Sequence, residues 1–384
     1  MSLTTDELPR LAGPGSIAEL SELMGRAHAE HRTVAVFGGG TAFDDHPPAS
    51  TPGLLIDLTS IAEAADPRGG TIRAEAGTRI SALNRFAAQS GREILSDLPV
   101  DRVEAGATLG GMISTAATGP RSLRRPRLAE TVESVTVVGA DGTIARTSHG
   151  LNWDLSGRDL PGLVTGSWGT RAIVVEAEIR LTERPETQRF VWIPGTEAAA
   201  DLLVARRVPD AVVIERPSGS PAATVVLIEG EADEVEAEVI HLVDRIPGAT
   251  PCREPEWWGR RARLAATIGV SVAPSFISTL IDAVARLEMT IGYPLQLRGC
   301  ATGTFELGIG APESEPGVAT RVVLEHLRSF GLHVIAARLI HAPAAVWDEV
   351  DAWGPQPGRS GLRDIKKLVD PRGILAPGRG IAGI

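Results

Sequence analysis

Two glycine-rich stretches constrain this chain more than anything else in it. Residues 34–43 read Val-Ala-Val-Phe-Gly-Gly-Gly-Thr-Ala-Phe, and residues 105–119 read Ala-Gly-Ala-Thr-Leu-Gly-Gly-Met-Ile-Ser-Thr-Ala-Ala-Thr-Gly. Without a Cβ, glycine enters positive-φ conformations freely, so successive backbone N–H groups can turn into one concavity. Concavities of that kind bind phosphate oxygens. Taken alone, Gly38–Gly40 is as well explained by a turn between strands. Paired with Gly106–Gly111, it points to a ligand with two phosphates, one half held by each loop. Phe37, Gly38, Gly39, Gly40, Thr41 and Ala42 are the expected contacts of the first loop. Gly106, Ala107, Thr108, Gly110, Gly111, Ser114, Thr118 and Gly119 are those of the second. Thr108, Ser114 and Thr118 can donate hydroxyl hydrogen bonds to phosphate or ribose, or can simply permit close packing.

The rest of the composition narrows the alternatives. At 384 residues the chain exceeds one ordinary core, so two domains are expected. A net charge of −10 argues against nucleic acid, whose binding depends on neutralising phosphates. Cys252 and Cys300 form neither a disulfide framework nor a metal-ligand spacing, so no metal is expected and a reducing, cytoplasmic setting is the simpler inference. The N-terminal residues lack a basic start and an apolar core, so no secretory signal is expected. No apolar run approaches the ~20 residues of a membrane span.

In chain order, helices are expected at 16–30 and 79–90, where apolar residues fall at helical spacing. Strands are expected at 33–37, 53–58, 71–76, 131–138, 144–147 and 171–181, with a loop at 95–103 and a loop with a short helix at 154–163. Prolines 47, 48 and 52 follow the first glycine loop, where a Rossmann unit would open a helix, so that fold is disfavoured. Beyond Pro185, strands are expected at 190–194, 211–215, 223–229, 289–297, 304–309 and 333–339. Helices are expected there at 196–206, 233–245 and 318–330. Short strands mixed with helices indicate an α+β fold, with the second sheet covered by helices on one side.

These segments, in this order, resemble the flavin-binding oxidoreductases of the vanillyl-alcohol oxidase and p-cresol methylhydroxylase type. The likeness is carried by the two glycine loops, Gly119-Pro120-Arg121, Gly166-Ser167-Trp168-Gly169 and the closing Asp370-Pro-Arg-Gly-Ile-Leu-Ala-Pro-Gly-Arg379. Within that family it is strongest to the FAD-binding subunit of glycolate oxidase. The resemblance implies a two-part FAD-binding domain over 1–184, a smaller antiparallel-sheet cap over 185–361, and a segment over 362–384 returning to the first domain. It also implies that Ala172, Ile173 and Val174 contribute backbone contacts to the cofactor. Relatives that tether the flavin place a histidine where Thr41 stands, so FAD is expected to bind non-covalently. His46, just before two prolines, is expected in solvent.

Dehydrogenation at a carbon bearing a hydroxyl needs a base for the hydroxyl proton, and a 2-hydroxy acid needs a cation for its carboxylate. His341 is the candidate base, and Arg298 and Arg379 are candidate cations, with Glu306 and Arg338 also offered by the cap. A histidine at a strand end is more often structural, and that reading stays open. Arg121, Arg124, Arg125 and Arg127 form either a solvated loop or a collar that attracts an anionic substrate or a partner. Trp257 and Trp258 are read as cap packing, and Cys300 as a small buried residue. Two functions follow from the resemblance. One is dehydrogenation of a small, glycolate-like 2-hydroxy acid. The other is electron relay beside a second flavoprotein and an iron–sulfur protein, since this chain has no cysteine pattern for a cluster.

Overall fold

The computed structural model of the chain describes residues 10–47, 51–65, 67–147, 159–205, 207–262, 264–311 and 316–384. Pro48 in the expected loop, residues 154–158 of the expected loop with a short helix, and Arg206 at an expected helix end lie outside the described residues.

Three sheets organise the fold. In the first, Leu54–Asp57 lies between Arg10–Ala12 and Val34–Phe37, and all pairings are parallel. Helix Ile17–Ala29 covers it, burying Leu20, Met24 and Ala27 against Val34 and Ile56. Ser16 caps that helix, its Oγ accepting from the N–H of Glu19 at 3.2 Å. In the second sheet Ile173–Glu183 is the central strand, flanked by Thr71–Glu75 and Val132–Val138 in antiparallel register. Ile144–Arg146 extends that sheet, and Arg92–Ile94 pairs with the far end of Ile173–Glu183. The central strand is apolar on both faces at its start: Ile173 and Val175 enter the first core, while Val174, Ala177 and Ile179 enter a second. Burial on two faces explains its near-continuous hydrophobic run.

The third sheet has eight antiparallel strands, from Thr250–Cys252 at one edge to Val334–His341 at the other. Helices Glu197–Leu203, Ala232–Arg245, Ile277–Ile291 and Pro316–Ser329 share one apolar core on one of its faces. Phe190, Val213, Val225, Leu227 and Trp258 pack together apart from that core, and Cys300 is buried and free. Strands Thr250–Cys252 and Ala266–Val272 and helix Ile277–Ile291 were not read from the sequence. The expected strand at 289–297 divides: Met289–Ile291 ends that helix, and the strand runs Leu295–Cys300. Gly292, at φ 72°, stops the helix as the usual left-handed residue after its last turn.

The expected loop at 95–103 contains helix Val100–Glu104. The arginine loop divides: Arg124 and Arg127 are exposed, while Arg121 and Arg125 are drawn into ion pairs. Arg121 pairs with Asp97 at 3.2 Å and Glu229 at 2.9 Å, and Arg125 with Glu93 at 2.5 Å and Glu229 at 3.3 Å. Glu229 belongs to the eight-stranded sheet, so these pairs tie that sheet to the second one. Among the described residues no helix is long and apolar enough to cross a membrane.

Candidate functional site

The two glycine stretches meet. A Cβ on Gly39 would stand 2.0 Å from the carbonyl oxygen of Gly106, and one on Gly38 would stand 2.2 Å from Thr108 Oγ1. Both residues must therefore be glycine for the loops to touch. Beside their contact lies a cleft that both loops line. Phe37, Gly38, Gly39, Gly40, Thr41 and Ala42 line it, opposite Thr108, Gly110, Gly111 and Ser114, and Ala172, Ile173 and Val174 complete it.

The two stretches contribute differently, which the sequence did not reveal. In the second, the N–H groups of Ala107, Leu109 and Gly110 are already spent on the carbonyls of Arg102, Thr78 and Ala76, each at 2.9 Å. Residues Leu109–Thr115 form a short helix, capped by Thr108. A Cβ on Gly110 would meet Ala76 Cβ at 2.7 Å, so that glycine serves helix-on-strand packing. Among the described residues the N–H groups of Gly38, Gly39 and Gly40 donate no such bonds. Backbone donors thus come from the first loop, and close approach and hydroxyls from the second. The expectation that both loops present main-chain donors is corrected to that extent.

Four expected contacts lie off the cleft wall. Gly106 and Ala107 back the first loop, and Ala107 is buried. Gly119 packs on Asp97, where a Cβ would come within 2.3 Å of the carboxylate. Thr118 lines a second chamber instead.

The closing motif forms part of the cleft. Val34 N–H donates to Ile374 O and Ala376 N–H to Val34 O, both at 2.7 Å, so the tail adds a rung beside the first strand. Asp370, 2% exposed, accepts from the N–H groups of Ile374 and Leu375 and from Lys366 Nζ. That clasp turns the chain so that Ala376 and Arg379 reach the wall. Arg379 donates to Ala42 O at 2.8 Å and lies over the Trp168 ring, 5.6 Å from its centre.

A second chamber adjoins the cleft, and Arg102, Thr115 and Trp168 line both. Its far side is the end of the eight-stranded sheet, with Glu306, Arg338 and His341, and its near side carries Asp45, His46 and Arg261. Asp45 pairs with His341 as an isolated β-bridge, and the N–H of His46 donates to Ile340 O at 3.2 Å. His341 Nδ1 lies 3.2 Å from Asp45 Oδ1, and Arg261 bridges Asp45 and Asp101. Burial raises the Glu306 carboxyl and lowers Arg338 and Arg379. Arg338 lines the chamber and is nonetheless exposed.

His46 is not in solvent. It is 5% exposed, stacks on Trp168 at 3.7 Å between ring centres, and meets Trp353 edge-on at 4.9 Å. Burial, reinforced by Arg338, lowers its pKa to about 3, so the ring is neutral. Arg298 stands outside both lined spaces, held by Glu215 at 2.5 Å and seated over Trp257. Arg102, Asp45 and Arg261 carried no signal in the sequence, because neither periodicity nor a motif marked them.

Comparison with known proteins gives the same cofactor chemistry. Residues 9–148 match a family described as an FAD binding domain. A D-2-hydroxyglutarate dehydrogenase of Xanthomonas citri pv. viticola is 32% identical over 178 residues, 46% of this chain and 37% of that protein. The glycolate oxidase subunit GlcD of Bacillus subtilis is 36% identical over 108 residues, 27% of this chain and 23% of that protein. The chain thus spans well under half the length of either relative. A solved alkyldihydroxyacetonephosphate synthase shares the fold, with a TM-score of 0.69 over 96% of this chain and 75% of that one, at 14% identity. The lining fits FAD: unspent backbone donors on Gly38, Gly39 and Gly40 for the diphosphate, the hydroxyls of Thr108 and Ser114 beside them, and the strand residues Ala172, Ile173 and Val174.

Proposed function

We propose that this chain, whose residues 9–148 match an FAD binding domain, is an FAD-dependent oxidoreductase of the vanillyl-alcohol oxidase and p-cresol methylhydroxylase type acting on a small 2-hydroxy acid. The observation that carries this reading is the contiguity of the glycine-lined cleft with a charged chamber. When bound, FAD supplies a hydride acceptor. Gly38, Gly39 and Gly40 would hold the diphosphate through their N–H groups, with Phe37, Thr41 and Ala42 shaping that loop. Gly111 would admit it closely, Thr108 and Ser114 would offer hydroxyls, and Ala172, Ile173 and Val174 would bound one end, while Gly110 lets the short helix pack on Ala76 behind them. Gly106, Ala107 and Gly119 support the loops from behind. Thr41 in place of a tethering histidine favours non-covalent binding.

In the chamber His341 takes the substrate's hydroxyl proton. With Nδ1 turned to Asp45, which fixes the ring's orientation, Nε2 is the nitrogen left for it. Arg338 holds the substrate carboxylate, a task for which Arg298, paired with Glu215 outside the chamber, is not placed. Arg379 closes the wall between tail and first loop.

A second reading rests on the likeness to a glycolate oxidase subunit: an FAD-holding relay that needs a second flavoprotein and an iron–sulfur protein. One experiment separates the two. The purified yellow protein is mixed without oxygen with glycolate, D-lactate or D-2-hydroxyglutarate, and absorbance near the flavin maximum is followed. Bleaching by the chain alone is expected, slowed about 10²- to 10⁴-fold in His341→Gln, the usual contribution of a positioned base. Flavin that stays yellow with every acid sinks the self-sufficient enzyme and favours the relay. Protein that stays colourless with added FAD removes both.

A further inference from the structure

Arg102 sits at the one wall the two spaces share. Among the described residues, only Arg102, Thr115 and Trp168 line both the cleft and the chamber, and of these only Arg102 is charged. It is 4% exposed. Its Nη1 donates to Thr115 Oγ1 at 2.9 Å and its Nε to Thr41 Oγ1 at 3.4 Å, so it bridges the segments that follow the two glycine loops. Thr115 in turn donates to Gly111 O at 2.8 Å, which fixes that hydroxyl as an acceptor for the guanidinium.

Resting on the reading of the cleft as the FAD site, we propose that Arg102 raises the reduction potential of the bound flavin. The argument is topological. Hydride moves only between atoms in near contact, ~3–3.5 Å apart. An acceptor in the cleft and a donor in the chamber can come that close only at their common wall. On that reading the redox-active end of the cofactor would lie at this wall, beside Arg102, Thr115 and Trp168. The substrate carbon gives up hydride, two electrons and a proton, and its hydroxyl proton passes to His341, leaving a 2-oxo acid. The acceptor gains one unit of negative charge. A guanidinium keeps its positive charge at any working pH and, in a site shielded from water, favours the more negative form of its neighbour. Charge close to the reactive part of a flavin is one of the protein's main controls on its electronics.

The test uses FAD-loaded wild type, Arg102→Met, Arg102→Gln, Arg102→Lys and the surface variant Arg286→Met, reduced without any hydroxy acid against a reference dye. Wild type is expected to lie above free FAD. The two neutral variants are expected to lose about tenfold in the equilibrium constant for reduction, ~30 mV for a two-electron couple. Arg102→Lys is expected to retain most of the wild-type value, and Arg286→Met all of it. A wild-type potential at or below that of free FAD overturns the proposal without any variant. So does a yellow Arg102→Met or Arg102→Gln protein at the wild-type potential, or an Arg102→Lys protein shifted as far as the neutral ones. Wild type that takes up no FAD defeats instead the reading of the cleft, and this proposal with it.

Discussion

At Gly39 the fold leaves no room for a methyl group, because the Gly106 carbonyl already occupies the place. Gly361 makes the opposite case: it lies in helix Arg359–Val369 with nothing within 4 Å of a built Cβ. Gly39→Ala is therefore expected to cost about 1–3 kcal/mol through forced backbone shifts and to weaken FAD binding. Gly361→Ala is expected to gain about 0.5–1 kcal/mol by restricting the unfolded chain. Urea unfolding and fluorescence titration with FAD measure both, and equal effects at the two sites would refute this account. His46 supplies a pH signature. Its folded pKa, about 3, lies below its ordinary 6.5, so between those values the unfolded chain binds a proton that the folded chain refuses. Stability is then complete above about pH 6.5 and falls by up to about 1.4 kcal/mol per unit as pH drops toward 3. His46→Phe keeps an aromatic ring for Trp168 and removes the titration. Unfolding at pH 7.5 and 5.5 should show wild type losing about 1 kcal/mol more than the variant, and parallel losses would refute the assignment.

At the scale of elements, the tail depends on one buried ion pair. Lys366 Nζ donates to Asp370 at 2.7 Å and also to the carbonyls of Thr170 and Leu375, while burial lowers its pKa against the pull of Asp370. Asp370→Ala strands this cation and leaves the N–H groups of Ile374 and Leu375 without their acceptor. A loss of about 3–5 kcal/mol is expected, with weaker FAD binding because Ala376 and Arg379 lose their anchor. Lys366→Met added to Asp370→Ala should recover part of the stability, and a double variant no better than the single would argue that the pair is incidental. Elements also differ in how plainly the sequence announces them. Helix Ile17–Ala29 has helical spacing and a serine cap, both visible in advance. Helix Ile277–Ile291 has the spacing too, in Ile277, Leu280, Ile281, Val284 and Leu287, but its β-branched end at Thr290 and Ile291 reads as strand. Helix Val100–Glu104 is too short for any period to show, and Leu109–Thr115 is built from poor helix formers that only the packing of Gly110 on Ala76 makes sensible.

Over the whole molecule, the sheets are joined at two charged seams. One runs through Arg121, Arg125 and Glu229, the other through Arg261, Asp45 and His341. Each brings together residues more than a hundred positions apart in the chain, and the second forms the chamber wall. The sequence by itself determined what depends on backbone freedom and local periodicity: the bare loops, their order, the α+β mixture and the cofactor class they imply. Glycine's missing side chain is a local property, readable wherever it occurs. Tertiary structure alone decided which arginine faces the chamber, that Arg298 is held by Glu215, that His46 is buried and neutral, and that Arg102 stands between the two spaces. Those outcomes are set by charge and desolvation across long loop closures, and the energy of a charged side chain belongs to its neighbours in space, which the order of residues does not name.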